Sequence, residues 1–178
     1  MSDNENDCVQ CTECSRICDK GQFRTIDGKH VCLNCLYGDA RPLTIYPIGI
    51  VISGRERGEK TSHASLLATD NNISEIHLYP GMSTFMKGLA DETHLIIVWH
   101  LHQAKPVKTL FARGWDGKKV GPFASRTPNR LTPIAVTEVE LLEVKGTTLI
   151  VRGLDTINGT PVLDIKVAIK SLKKEMPT

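Results

Sequence analysis

Short apolar, β-branched runs broken by glycine and proline organise this chain. Ile134–Leu142, Thr147–Val151 and Val162–Val167 read as strands bounded by turn residues. Earlier in the chain, Ile45–Ser53 (IYPIGIVIS) and the alternating Ser74–Tyr79 (SEIHLY) read the same way. Pro80 to Glu92 contains MSTFMKGL, a short helix or loop. Thr93–Gln103 reads as a buried strand emerging into histidines, and alternation puts His94, Ile96, Val98, His100 and His102 on one face. The three histidines spread along about 25 Å, too far for one ion. His94 is therefore expected in the core or in a hydrogen bond. The pattern predicts a mostly-β fold, a single barrel with polar groups at its turns: Arg113, Trp115, Asp116, Arg126, Arg130, Asp155, Asp164 and Lys166.

The length of 178 residues allows one substantial domain plus a small appendage. With 22 basic against 20 acidic residues, any basic surface must be local. No apolar run is long enough to cross a bilayer, and the N-terminus MSDNENDC has no apolar signal core. The expectation is a cytoplasmic protein without a membrane partner.

Cysteine changes that picture. All six lie between Cys8 and Cys35, and clustered CxxC pairs point to metal rather than to disulfides. Cys11-x2-Cys14 and Cys32-x2-Cys35, with 17 residues between, match two zinc knuckles. Two such turns can close a tetrahedral thiolate shell around a structural Zn2+, with Gly21, Asp27 and Gly28 turning the chain back. So small a segment has almost no core, and metal binding would supply its folding free energy. A competing spacing, Cys8-x2-Cys11-x2-Cys14-x3-Cys18, fits an iron–sulfur cluster but leaves Cys32 and Cys35 unused. His30 reads as an ordinary loop residue. Residues 1–40 are thus a zinc-knuckle module, 44–172 the barrel domain and 173–178 a tail. Arg16, Lys20, Arg24, Lys29 and Arg41 make the module a candidate RNA dock, with a dimer strut or protein-binding knuckle as the alternative.

Two longer motifs carry a resemblance. Phe123-Ala124-Ser125-Arg126-Thr127-Pro128-Asn129-Arg130-Leu131-Thr132-Pro133-Ile134-Ala135 resembles the F-A-T-R-S-x-x-R-P-N-P-I-G pattern of the TrmO/TsaA-like family. Leu154 to Lys166 resembles its L-D-x-x-D-G-T-P-V-x-D-I-K pattern. Ile45–Ser53 and the Thr93–His102 stretch resemble two further family segments, so the likeness covers about residues 44 to 172. Departures from the patterns include Thr132 for asparagine, Ala135 for glycine and Asn158 for aspartate, with Val167-Ala168 where proline and tyrosine usually follow. The family's proline- and glutamine-containing cofactor loop has no counterpart in Gly54–Lys60.

The resemblance implies a β-barrel methyltransferase that uses S-adenosylmethionine to methylate tRNA. The acceptor it implies is the exocyclic nitrogen of a threonylcarbamoyl-type adenosine near the anticodon. By the same resemblance His102, Gln103, Arg126, Val136, Leu163, Asp164, Ile165 and Lys166 bind the cofactor, with Arg126 meeting its carboxylate. Asp155 and Arg130 become the catalytic candidates; Asp155 could handle the departing proton, or could cap the Leu154–Gly159 turn. Arg113, Lys118, Lys119 and Arg130 are candidates for phosphate contacts and Trp115 for base stacking. The resemblance also implies a homodimer with sites near the subunit interface. No G-x-G-x-x-G loop follows a strand, which argues against the doubly wound methyltransferase architecture. The competing class is a zinc-containing binding or regulatory module that keeps the barrel without methyl transfer.

Overall fold

The computed structural model describes residues 8–19, 21–52 and 72–168. Its strands are β1 (Val9–Gln10), β2 (Ile17–Cys18), β3 (Phe23–Ile26), β4 (Lys29–Cys32), β5 (Gly49–Ile52), β6 (Ile73–Leu78), β7 (His94–His100), β8 (Phe111–Ala112), β9 (Lys119–Val120), β10 (Ile134–Lys145), β11 (Thr148–Arg152) and β12 (Pro161–Val167), with one short helix, α1 (Leu33–Tyr37). The chain divides into two units: Ile45–His102 with Ile134–Thr178, and Met1–Thr44 with Gln103–Pro133. The segment 103–133, expected within the barrel domain, groups with the cysteine-rich segment instead.

The first unit is a closed barrel of order β10-β11-β6-β5-β12-β7, antiparallel at every step. Closure leaves no unpaired edge. Alternation turns one row of each strand inward: Leu95, Ile97 and Trp99 of β7, Ile76 and Leu78 of β6, Leu149 and Val151 of β11. The Trp99 indole N–H is satisfied by Thr137 Oγ1 at 3.1 Å. His94 lies on the outer row, not in the core, where its Nδ1 bonds Thr93 Oγ1 at 3.1 Å.

Strand bounds differ from the sequence pattern for physical reasons. Pro47 has no N–H to donate, so pairing begins at Ile48, whose N–H donates to the Val162 carbonyl at 2.8 Å. Ser53 and the Gly54–Lys60 loop lie outside the described residues. A Cβ at Gly49 would stand 2.5 Å from the His77 carbonyl oxygen, so β5 can approach β6 this closely only with glycine there. Pro80–Phe85 and Leu89–Asp91 form two 3-10 turns in place of a helix. β10 runs past Leu142 by absorbing it as a bulge before the Gly146 turn.

The second unit is built from hairpins. β3 and β4 join through Asp27 (φ 48°) and Gly28 (φ 79°), the left-handed pair that a two-residue hairpin turn needs. The segment 103–133 docks on this hairpin: the Asp27 N–H donates to the Val107 carbonyl at 3.0 Å and the Val107 N–H to the Thr25 carbonyl at 3.2 Å. Thr109 clasps the Asp27 carboxylate through both its N–H (3.0 Å) and its hydroxyl (2.5 Å).

Candidate functional site

Four thiols converge in the hairpin unit. The ligand atoms of Cys11, Cys14, Cys32 and Cys35 all lie within 4.8 Å of one another. Sulfur–sulfur separations are 4.0 Å for Cys11–Cys35 and 3.8 Å for Cys14–Cys32. A tetrahedron with metal–sulfur bonds of about 2.3 Å has edges of about 3.8 Å, so the donor set fits a four-coordinate ion. Backbone amides point at the sulfurs: the Cys32 N–H donates to Cys11 Sγ at 3.3 Å and the Cys35 N–H to Cys32 Sγ at 3.4 Å. The Cys32 amide is the main reason the Cys11 thiol is held down to about 6. Cys32 is lowered chiefly by the Cys35 amide, whereas the Cys14 and Cys32 side chains push Cys35 up to about 12. Four thiols this close suit a divalent cation, which binds them as thiolates.

The competing spacing does not converge. Cys18 Sγ faces the Arg16 carbonyl at 3.8 Å, and burial raises its thiol. Cys8 Sγ faces Asp19 Oδ1 at 3.6 Å. His30 lies in strand β4 rather than in a loop and is not among the converging ligands, with Nδ1 at 3.2 Å from Thr25 Oγ1 and its ring edge-on to Phe23.

The first long motif is a self-supporting loop. Pro122–Ala124 forms a 3-10 turn, the Ser125 hydroxyl donates to the Pro122 carbonyl at 2.9 Å, and Asn129 Oδ1 accepts the Lys105 N–H at 2.8 Å. Arg130 ties the loop together: one guanidinium nitrogen donates to the carbonyls of Pro122 (2.9 Å) and Ser125 (3.0 Å), and the group lies over the Phe123 ring. Arg126 is exposed, and no hydrogen bond or ion pair to the described residues engages its guanidinium. An open recess of about 260 Å³ in this unit is lined by Ile26, Leu36, Val107, Thr109, Phe123 and Leu131, among others. Its apolar walls offer nothing to a carboxylate or a ribose.

The second motif builds the barrel as much as any site. Leu154 and Thr160 are wholly buried, and the Thr160 carbonyl accepts the Val51 N–H at 2.9 Å. Between Val162 and Asp164 the β12–β7 register shifts, leaving Leu163 as a bulge. Bulges re-aim neighbouring side chains. Beyond this one Asp164 pairs with Lys166 at 2.5 Å and accepts the Ile165 N–H at 2.9 Å. Val136 stands 64% exposed on the outside of β10. Asp155 is half-buried in the loop after β11, and His102 and Gln103 are exposed beyond β7. The predicted cofactor residues are thus distributed over both units: His102, Val136 and Leu163 to Lys166 on the barrel, Gln103 and Arg126 on the other. Of the departures from the family pattern, Ala135 packs against the barrel core and Thr132 is exposed. Sequence reasoning missed the Asp27–Thr109 clasp. The Asp-Gly turn marked Asp27 as a turn residue, but nothing marked its partner 82 positions away.

A closed six-stranded antiparallel barrel with this Phe-Ala-Ser-Arg loop defines a barrel-type class distinct from doubly wound folds. Residues 59–173 match the model of the tRNA-methyltransferase O N-terminal domain, and the chain belongs to that family. A probable S-adenosyl-L-methionine-binding protein of Pyrococcus abyssi is 34% identical over 120 residues, 67% of this chain and 65% of that protein. The human tRNA (adenine(37)-N6)-methyltransferase is 45% identical over 51 residues, 29% of this chain and 12% of that protein. The crystal structure of TrmO from Pseudomonas aeruginosa superposes with a TM-score of 0.61 at 26% identity, covering 78% of this chain and 61% of that one. The chain spans less than two thirds of the length of each of these proteins.

Proposed function

We propose that this protein transfers a methyl group from S-adenosylmethionine to tRNA, with the exocyclic nitrogen of a threonylcarbamoyl-type adenosine near the anticodon as acceptor. The observation that carries this reading is the family match over 59–173, which includes the loop that holds Arg126 out to solvent. S-adenosylmethionine supplies a methyl already activated by its sulfonium charge, so the protein's task is placement. Arg126 offers a guanidinium fork to the cofactor's carboxylate. His102, Gln103, Val136 and the bulged Leu163–Lys166 stretch supply backbone and side-chain contacts to the rest. Arg130 keeps the loop in shape. Asp155 takes the proton that the acceptor nitrogen must lose as it attacks.

The same reading assigns one structural zinc per chain to Cys11, Cys14, Cys32 and Cys35, a cytoplasmic location and a homodimer. No helix among the described residues is long and apolar enough to cross a membrane. Mass spectrometry of tRNA nucleosides, with and without the protein and S-adenosylmethionine, tests the activity. A new methyl on a modified adenosine is the expected result. Cofactor binding with no methylated nucleoside would favour the binding-module alternative. Metal analysis of anaerobically purified protein should give zinc in a one-to-one ratio; iron, with or without acid-labile sulfide, would overturn that assignment.

A further inference from the structure

We propose that the β8–β9 hairpin and the lysines flanking it form the surface that grips single-stranded RNA, with Trp115 as a stacking platform for an unpaired base. The proposal rests on the tRNA reading above and assigns the side chains that would do the gripping.

Charge is the first observation. Between Gln103 and Pro133 stand seven lysines and arginines against one acid, Asp116. The remaining fifteen basic residues face nineteen acidic ones, so the near-neutral total conceals one strongly basic segment. Lys105, Lys108, Lys118 and Lys119 are all exposed. Lone charge runs are commonly just solvated, and a second observation distinguishes this one.

The hairpin tip is a built aromatic platform. Trp115 is 53% exposed, and the Arg113 guanidinium lies over its ring at 4.3 Å from the centroid. Arg113 is no free phosphate contact. Its Nε donates to Asp116 Oδ1 at 3.0 Å, a second nitrogen to Asp116 Oδ2, and a third to the Ala124 carbonyl at 3.0 Å. Asp116 in turn accepts the Lys118 N–H at 3.2 Å, and the loop closes through the Arg113 N–H to the Lys118 carbonyl at 2.9 Å. The one acid of the segment is thus spent on fixing Arg113, and Arg113 on fixing the indole. One face of the ring is covered by the cation, Trp115 stays 53% exposed, and the exposed Lys118 and Lys119 follow it by three and four residues. An exposed, pre-oriented indole flanked by lysines suits an unpaired base between phosphates; a duplex, with its bases stacked inward, cannot use it.

The test uses the full chain and labelled short RNAs in fluorescence anisotropy: one stem-loop, one blunt duplex of the same stem, and polyglutamate as competitor. Trp115→Ala should weaken stem-loop binding roughly five- to a hundredfold and leave the duplex affinity unchanged. Lys118→Ala with Lys119→Ala should lower the salt slope by about 1.4 for contacts to single strands. Unchanged stem-loop affinity in Trp115→Ala, equal binding of duplex and stem-loop, or equal competition by polyglutamate would each overturn the proposal. Methylation of tRNA by the parent protein, measured in parallel, keeps the two readings apart. If methylation persists while Trp115→Ala binds normally, this surface is wrong and the activity stands. If the parent neither binds RNA nor methylates it, both fall.

Discussion

The barrel and the hairpin unit reach a defined shape by different means. Eleven buried side chains, among them Ile97, Trp99, Leu149 and Val162, form one continuous apolar core inside the barrel. Among the described residues of the hairpin unit the buried apolar set is Cys11, Cys18, Cys32 and Val107. Its remaining order comes from turns, the Asp27–Thr109 clasp, the Arg113–Asp116 pair and the carbonyl bonds of Arg130. A core of that size cannot offset the conformational entropy of roughly seventy ordered residues at about 1–2 kcal/mol each. The proposed metal would therefore matter most in the unit that holds Arg126 and Trp115.

The largest expected effect breaks the hairpin unit alone. Cys32→Ser should abolish binding of the proposed metal and remove amide protection across 8–44 and 103–133, with the barrel amides still protected. Hydrogen exchange read by mass spectrometry checks it. The converse break is Leu149→Ala, which removes a wholly buried side chain from the barrel. It should cost about 2–5 kcal/mol in denaturant unfolding and leave the metal content of the folded protein unchanged.

Smaller perturbations sharpen the contrast. Arg126→Ala should weaken S-adenosylmethionine binding by about 1.5–3 kcal/mol, seen by titration calorimetry, with fold and metal content intact. A mutant that binds as tightly as its parent would make Arg126 a surface residue only. Asp27→Asn is expected to have the least effect, a faster exchange of the Thr109 and Val107 amides at neutral pH. The Thr109 hydroxyl, then its amide, hold the Asp27 carboxyl below its ordinary value. A lowered folded pKa means the clasp contributes fully above about 3.9, the ordinary aspartate value, and is lost as pH falls through the lowered one. Acid should therefore loosen 103–133 in the parent and add nothing further in Asp27→Asn.

What was legible in the sequence follows the same division. Period-two alternation marked the barrel strands, and the Asp27-Gly28 turn and both knuckles are local signals, but which row of β7 enters the core was not legible: the pattern drew attention to the His94, Ile96 and Val98 face, and the structure buries Leu95, Ile97 and Trp99. The β10–β7 pairing was not legible, since it joins strands far apart in the chain that no local pattern links. Nor was the allegiance of 103–133. Its ties to the cysteine hairpin are a few polar bonds between residues far apart in sequence, and polar bonds leave no periodicity. The resemblance gave Arg126 to the cofactor and Arg130 to catalysis; only the structure shows Arg130 engaged with the carbonyls of Pro122 and Ser125, shaping the loop, while Arg126 is left open.

The proposed zinc would do for the hairpin unit what the apolar core does for the barrel. Hydrogen exchange of the full chain, purified anaerobically and compared with and without a strong chelator, tests it directly. The amides of Cys32, Val107 and Thr109 should lose protection together on metal removal while Ile97, Leu149 and Val151 keep theirs. Equal protection of both units after complete metal loss would contradict it.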